Sequence, residues 1–443
     1  MKRTFRKLLV LLVAAALLFG LSSCFEFLNQ TTETTTVRAT EPKTEPATTP
    51  ATEPKTEPAT TPATEPATTP VTEPKTEPAT TPATATETAP LSEPGTEPAT
   101  APESGPVATG ETTAEGTGEA KPKGEIGGNL QIHFIELGNY YTGDCVYIKA
   151  GETDILIDAG SKYSSVPTIA AYLNEYVTDN TLEYVIVTHA HEDHYAGFAA
   201  SEGIFDLYEC GVIIDFAQTN QKETAKMYSN YIAKRDAEIA AGATHYTALD
   251  CIEQGKTDFA VAEGINMKIL NSYYYANKDS SGENNHSVCM LLTEGENNYL
   301  FTGDLEAKGE KKLVEMNDLP HVVLYKAGHH GSKTSSSDEL LSVITPEIVC
   351  VCCCAGSSEY TKTEENKFPT QAFVDRIAPH TRRVYVTTIS VSDEDKTFQS
   401  MNGNITVCSD GTEVWVVCSA SDLVLCETAW FEEKRTRPAA WQN

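Results

Sequence analysis

Three histidines and an aspartate crowd one short turn, Thr188-His189-Ala190-His191-Glu192-Asp193-His194, and this turn limits the possible folds more than any other stretch. The β-branched and apolar run Tyr184-Val185-Ile186-Val187 precedes it and is short enough to be a buried strand. Tyr195 to Ala200, small and helix-compatible, follows. On a strand-to-helix turn His189 and His191 face one way, while Asp193 and His194, at the helix start, face another. Four ligands so close together exceed what one tetrahedral ion takes from a single loop. That favours two ions side by side, each completed from elsewhere in the chain. The chain has only 10 histidines in 443 residues, so three in one turn do not read as an ordinary polar loop.

The N-terminus addresses the chain. Residues 1–24 read as a lipoprotein export signal: Lys2, Arg3, Arg6 and Lys7, the apolar run Leu8 to Phe19, then Leu21-Ser22-Ser23-Cys24. The last four residues resemble the bacterial lipobox, which implies that Cys24 is lipidated and anchors the mature protein. Residues 25–126 form a Thr/Pro/Glu/Ala repeat linker with almost nothing apolar to bury, expected to be disordered. Fully extended, it could reach on the order of 300 Å, a stalk between membrane and domain. The expected location is therefore the extracellular face of a bacterial cell membrane.

Residues 127–443 carry the globular pattern. Gln131 to Leu137, Cys145 to Ile148 and Asp154 to Gly160 read as strands, the third ending in an acidic turn. Helical spacing follows over Val166 to Tyr176. Further strands are expected at Cys210 to Phe216, Met267 to Leu270, Ser287 to Thr293, Asn298 to Thr302, Val322 to Tyr325, Glu347 to Cys354, Arg383 to Thr388, Asn404 to Cys408 and Glu413 to Val417. Helices are expected at Thr224 to Ala241, Glu310 to Glu315, Ser337 to Ile344 and Gln371 to Ile377. Strands in two groups with helices between them suggest an α/β chain built as an αββα sandwich. Cys350, Cys352 and Cys354 would share one strand face as buried thiols.

Four stretches in order carry a family resemblance: Ile157-Asp158-Ala159-Gly160, the histidine turn, Phe301-Thr302-Gly303-Asp304, and Lys326-Ala327-Gly328-His329-His330-Gly331-Ser332. From about Asn129 to Val417 the chain resembles the metallo-β-lactamase-fold hydrolases. It looks most like the hydrolase domain of competence DNA-uptake proteins and like teichoic-acid phosphorylcholine esterases. The resemblance implies His189, His191 and His286 on one ion, Asp193, His194 and His330 on the other, and Asp304 bridging them. His286 is the position that competence-type domains often lack. Asp193, Asp304 and His329 are expected to act in the reaction, His329 through substrate phosphate or proton transfer. Asp158 is expected behind the ligands, holding a histidine by its free N–H, or else capping its turn. Nitrogen and oxygen ligation suits two Zn²⁺, with Mn²⁺ or Fe as alternatives.

Two departures stand out. The first strand ends in Glu136 to Asp144 rather than the family's shorter turn, and the relatives' later His-Pro is Phe368-Pro369. The expected function is a membrane-anchored dinuclear-metal hydrolase that cleaves a phosphodiester or phosphate ester with a hydroxide held between the ions. Ester, lactone or thioester hydrolysis at the same site is the alternative, as is an inactive surface binding protein. The net charge is −30, and beyond Lys123 about 23 basic face 47 acidic side chains. A broad nucleic-acid face is thereby disfavoured, and no feature indicates an obligate protein partner.

Overall fold

The computed structural model describes residues 124–442. The expected export signal, Cys24 and the repeat linker up to residue 123 lie outside the described residues.

Sixteen strands form two eight-stranded sheets. The first holds β1 (Leu130–Phe134), β2 (Val146–Ala150), β3 (Thr153–Ile157), β4 (Thr181–Val187), β5 (Glu209–Asp215), β6 (Thr244–Thr247), β15 (Ile405–Ser409) and β16 (Val414–Cys418), in the order β16-β15-β1-β2-β3-β4-β5-β6. The second holds β7 (Asp258–Ala262), β8 (Ile265–Ile269), β9 (Met290–Glu294), β10 (Asn297–Phe301), β11 (Leu324–Lys326), β12 (Ile348–Ala355), β13 (Arg383–Ser392) and β14 (Thr397–Ser400), in the order β14-β13-β12-β11-β10-β9-β8-β7. β3, β4, β5 and β6 run parallel, as do β10, β11, β12 and β13.

Strand alternation builds the layers. Ile155 and Ile186 point between the sheets, where they meet Met290, Leu292, Phe301 and Leu324. Their neighbours Leu156, Val185 and Val187 point outward against α1 (Val166–Leu173), α2 (Glu192–Ala199) and α3 (Lys226–Ala241), through Ile169, Phe198 and Tyr231. On the far side α4 (Ala307–Met316), α5 (Asp338–Ile344) and α6 (Gln371–Ile377) cover the second sheet through Leu313, Leu340 and Phe373. The end of β4, Val185 to Val187, is buried on both faces, which is why it reads as an apolar run. The result is the expected αββα sandwich.

Three strands escaped the sequence reading: β6, β7 and β14. All three lie at sheet edges; β6 and β14 are short and polar, and β7, though mostly apolar, has only Val261 fully buried. β12 carries an irregularity. Its pairing with β13 slips between Val351 and Cys354, a bulge. Cys350 and Cys352 face the inter-sheet core, while Val349, Val351, Cys353 and Ala355 face the outer one. Cys350, Cys352, Cys353 and Cys354 are all free and buried.

Candidate metal centre

The parallel strands of both sheets deliver their C-terminal ends to one seam, the usual place for a site in such sheets. Asp158 follows β3, the histidine turn follows β4, Gly303-Asp304 follows β10, and His329-His330 follows β11. The Val288 N–H donates to the Thr188 carbonyl at 2.9 Å and stitches the sheets together beside the site. Gly303 turns the chain at φ +53, a conformation that suits glycine. Gly160 serves close packing: a Cβ there would stand 1.6 Å from the Asp193 carbonyl oxygen.

Asp304 Oδ2 is the hub. His194 Nε2 lies 3.1 Å from it and His330 Nε2 3.3 Å from it. Asp193 Oδ2 is 3.3 Å from the same His330 nitrogen. His194 Nε2 and His330 Nε2 are buried and have no hydrogen-bond partner. Buried polar atoms are rarely left so. Donors at about 2.0–2.1 Å from a tetrahedral ion stand roughly 3.3 Å from one another, and these three contacts have that spacing; Asp144, His194, Asp304 and His330 also each offer an atom within 4.8 Å of the others.

The other side of Asp304 Oδ2 is sparser. His189 Nε2 lies 3.9 Å from that oxygen and 3.1 Å from His191 Nδ1. His286 does not join them. Its Nε2 accepts the Asp279 backbone N–H at 3.0 Å, and its Nδ1 faces the Glu283 carboxylate at 3.6 Å. A short 3-10 turn, Asn284–His286, aims the ring away from the seam. The next residue is the one that touches the site: Ser287 Oγ lies 3.3 Å from His189 Nδ1 and accepts the Asp304 N–H at 3.0 Å.

Behind the donors stands a layer of holders. Asp158 Oδ2 lies 2.8 Å from His194 Nδ1, and the same carboxylate accepts the Thr188 N–H and O–H at 2.8 and 2.7 Å. His330 Nδ1 lies 2.9 Å from the Cys352 carbonyl, which the β12 bulge turns toward it. His329 and His330 both have left-handed backbone, and their side chains part company. His329 stays partly exposed, 3.0 Å from Thr334 Oγ1 and 3.3 Å from Asn284 Nδ2.

Three site residues were missed in the sequence. Asp144, fully buried, pairs with Lys326 Nζ and lies 3.2 Å from His330 Nδ1. Lys326 also faces Asp304 Oδ1 at 3.7 Å and donates to the Gly303 carbonyl at 3.3 Å. Tyr360 donates its hydroxyl to Asp193 Oδ2 at 2.6 Å. Lys326 had a signal, a lone lysine in the apolar run Val322 to Ala327. Asp144 had one as well, a Gly-Asp pair just before an apolar strand, like Gly303-Asp304. Tyr360 had none.

The charges are interdependent. Burial alone would lower His194 and His330, but Asp304, with Asp158 and Asp144 at His194 and Asp144 at His330, outweighs it. Both rings are held well above the usual histidine range. His189 lies well below it, through burial and the positive charge of His194 and His191. An imidazole must be neutral to ligate, so cation binding here releases protons.

Part of the chain is similar to known proteins. Residues 139–230 match the family model described as "Metallo-beta-lactamase superfamily". Those residues lie within an α/β sandwich of two sheets. It is 27% identical over 250 residues to "Competence protein ComA" of Neisseria gonorrhoeae, covering 56% of this chain and 30% of that protein. It is 31% identical over 128 residues to "Recombination protein 2" of Haemophilus influenzae, covering 29% of this chain and 15% of that protein. It is 31% identical over 78 residues to "Exodeoxyribonuclease YycJ" of Bacillus anthracis, covering 18% of this chain and 29% of that protein. The chain spans less than a third of the length of each of these relatives.

Proposed function

We propose that this chain is a hydrolase that cleaves a phosphate ester or phosphodiester at a pair of divalent cations, on the outer face of a bacterial membrane to which lipidated Cys24 anchors it. The observation that carries this reading is the set of unpartnered donors converging on Asp304 Oδ2. Charge supports the substrate class. Asp144, Asp158, Asp193 and Asp304 contribute −4 and Lys326 contributes +1, leaving −3. Two divalent cations bring the centre to +1, which attracts an anion. The nuclease and competence relatives point the same way. A cell-wall polymer or a small phosphodiester suits so acidic a chain as well as DNA does.

Bound divalent cations would supply Lewis acidity and an activated water at neutral pH. The protein does the rest. Asp158 and the Cys352 carbonyl hold His194 and His330 by Nδ1, so that Nε2 of each faces Asp304. The Lys326 ammonium lies 3.7 Å from Asp304 Oδ1, while Oδ2 faces His194 and His330. The Phe368 ring lies 6.0 Å from that of His330 and shields it from water. His329, lowered by burial, is neutral at pH 7 and stands at the rim. It can accept a proton there or hydrogen-bond a phosphoryl oxygen.

The test is a substrate panel on the cation-loaded full chain: bis-p-nitrophenyl phosphate, p-nitrophenyl acetate, a β-lactam and single-stranded DNA. Cleavage of the phosphodiester, lost in Asp304→Asn, is expected. Turnover confined to the carboxylic ester or lactam, or none at all, would overturn the reading.

A further inference from the structure

The two sides of Asp304 are unlike. Asp193 Oδ2, His194 Nε2 and His330 Nε2, with Asp304 Oδ2, make four donors, and three of the pairs among them are 3.1–3.3 Å apart. The opposite side has two donors of its own, His189 Nε2 and His191 Nδ1, and otherwise only a share of Asp304 Oδ2. Two features keep it short of a fourth. The Asp279 N–H occupies His286 Nε2. Ser287 Oγ donates to the Asn284 carbonyl at 2.7 Å and meets His189 on its far nitrogen. His191 is also only half-buried, whereas His189, His194 and His330 are closed off, so the missing corner opens to solvent. Sites closed by four protein donors hold a metal firmly, while a site with an open corner leaves room for water or substrate.

We propose that the two cation positions are unequal: the position of Asp193, His194, His330 and Asp304 fills first and firmly, and that of His189 and His191 fills second and weakly, completed by an oxygen of the substrate's phosphoryl group. This rests on the reading of the site as a phosphoester hydrolase. Because the fourth donor comes from the ligand, phosphate and the second cation strengthen each other's binding, by the reciprocity of linked equilibria. The first cation is indifferent to phosphate.

The experiment titrates the metal-stripped full chain with Co²⁺, following visible absorption and heat, with and without inorganic phosphate. Two phases are expected in its absence, the second at least about tenfold weaker. Phosphate tightens the second phase and leaves the first in place. His191→Ala removes only the second phase, and His286→Ala leaves both unchanged. Two equivalents bound with one affinity would overturn the proposal. So would a second phase indifferent to phosphate, or weakened by His286→Ala. The unequal phases are read without any substrate, so their absence is separable from a failure to hydrolyse phosphoesters in the panel above.

Discussion

Asp158→Asn removes a charge and almost no volume, which makes it a sharp probe of the centre. In the native carboxylate Oδ1 accepts the Thr188 N–H at 2.8 Å, while Oδ2 serves the Thr188 hydroxyl and His194 Nδ1. An asparagine can keep its oxygen toward the Thr188 N–H only by presenting its NH₂ to His194. The imidazole must then accept at Nδ1 and carry its proton on Nε2, the nitrogen that faces Asp304 Oδ2. A ring protonated there cannot ligate. Flipping the amide instead sets two donors against each other in the interior, at about 1–3 kcal/mol. Loss of such an outer partner weakens metal affinity about 10–100-fold, roughly 1.4–2.7 kcal/mol. Competition against a chelating dye measures that loss, and thermal melts with and without chelator separate it from folding. A variant that melts lower but binds Zn²⁺ with native affinity would refute the argument and leave Asp158 a turn cap.

Lys326→Met takes away the ammonium paired with buried Asp144 and leaves it His330 Nδ1 at 3.2 Å, and up to about 3–5 kcal/mol of stability is expected to go with it. Adding Asp144→Asn should restore much of it, and chemical denaturation of the four proteins in the cycle reads the coupling. Gly160→Ala places a Cβ against the Asp193 carbonyl oxygen; a loss of about 1–3 kcal/mol is expected in the same assay, together with weaker binding of the first cation. His133, buried among Tyr147, Tyr172 and Tyr176, is pushed down to about 3 by burial. The unfolded chain therefore takes up a proton below about pH 6.5 that the native state refuses. Its contribution is complete above that pH and falls by about 1.4 kcal/mol per unit as pH drops toward 3. Urea melts of wild type and His133→Gln between pH 7 and 5 should show a shallower acid slope in the variant, and equal slopes would count against it.

What could be read from the sequence followed from how strongly each residue is constrained. β4 and the turn after it were legible because a doubly buried strand must be apolar and because clustered imidazoles have few structural uses. The core strands were legible from their β-branched runs. The edge strands β6, β7 and β14 were not, since half-exposed backbone tolerates almost any side chain. His286 shows the limit of spacing. Its position before β9 is right for a ligand, yet a single backbone N–H, that of Asp279, claims its ring nitrogen. Lys326 and Asp144 were hidden for the opposite reason. Each looks isolated along the chain, and only the meeting of two sheets makes them partners.

β12 has a consequence for how the molecule can be watched. Burial pushes the thiols of Cys350, Cys352, Cys353 and Cys354 up, away from the reactive thiolate. An alkylating reagent will therefore find little to attack until the central strands part, and will then meet four sulfurs at once. The labelling rate becomes an internal clock for cooperative opening of the second sheet, readable by mass without any added probe.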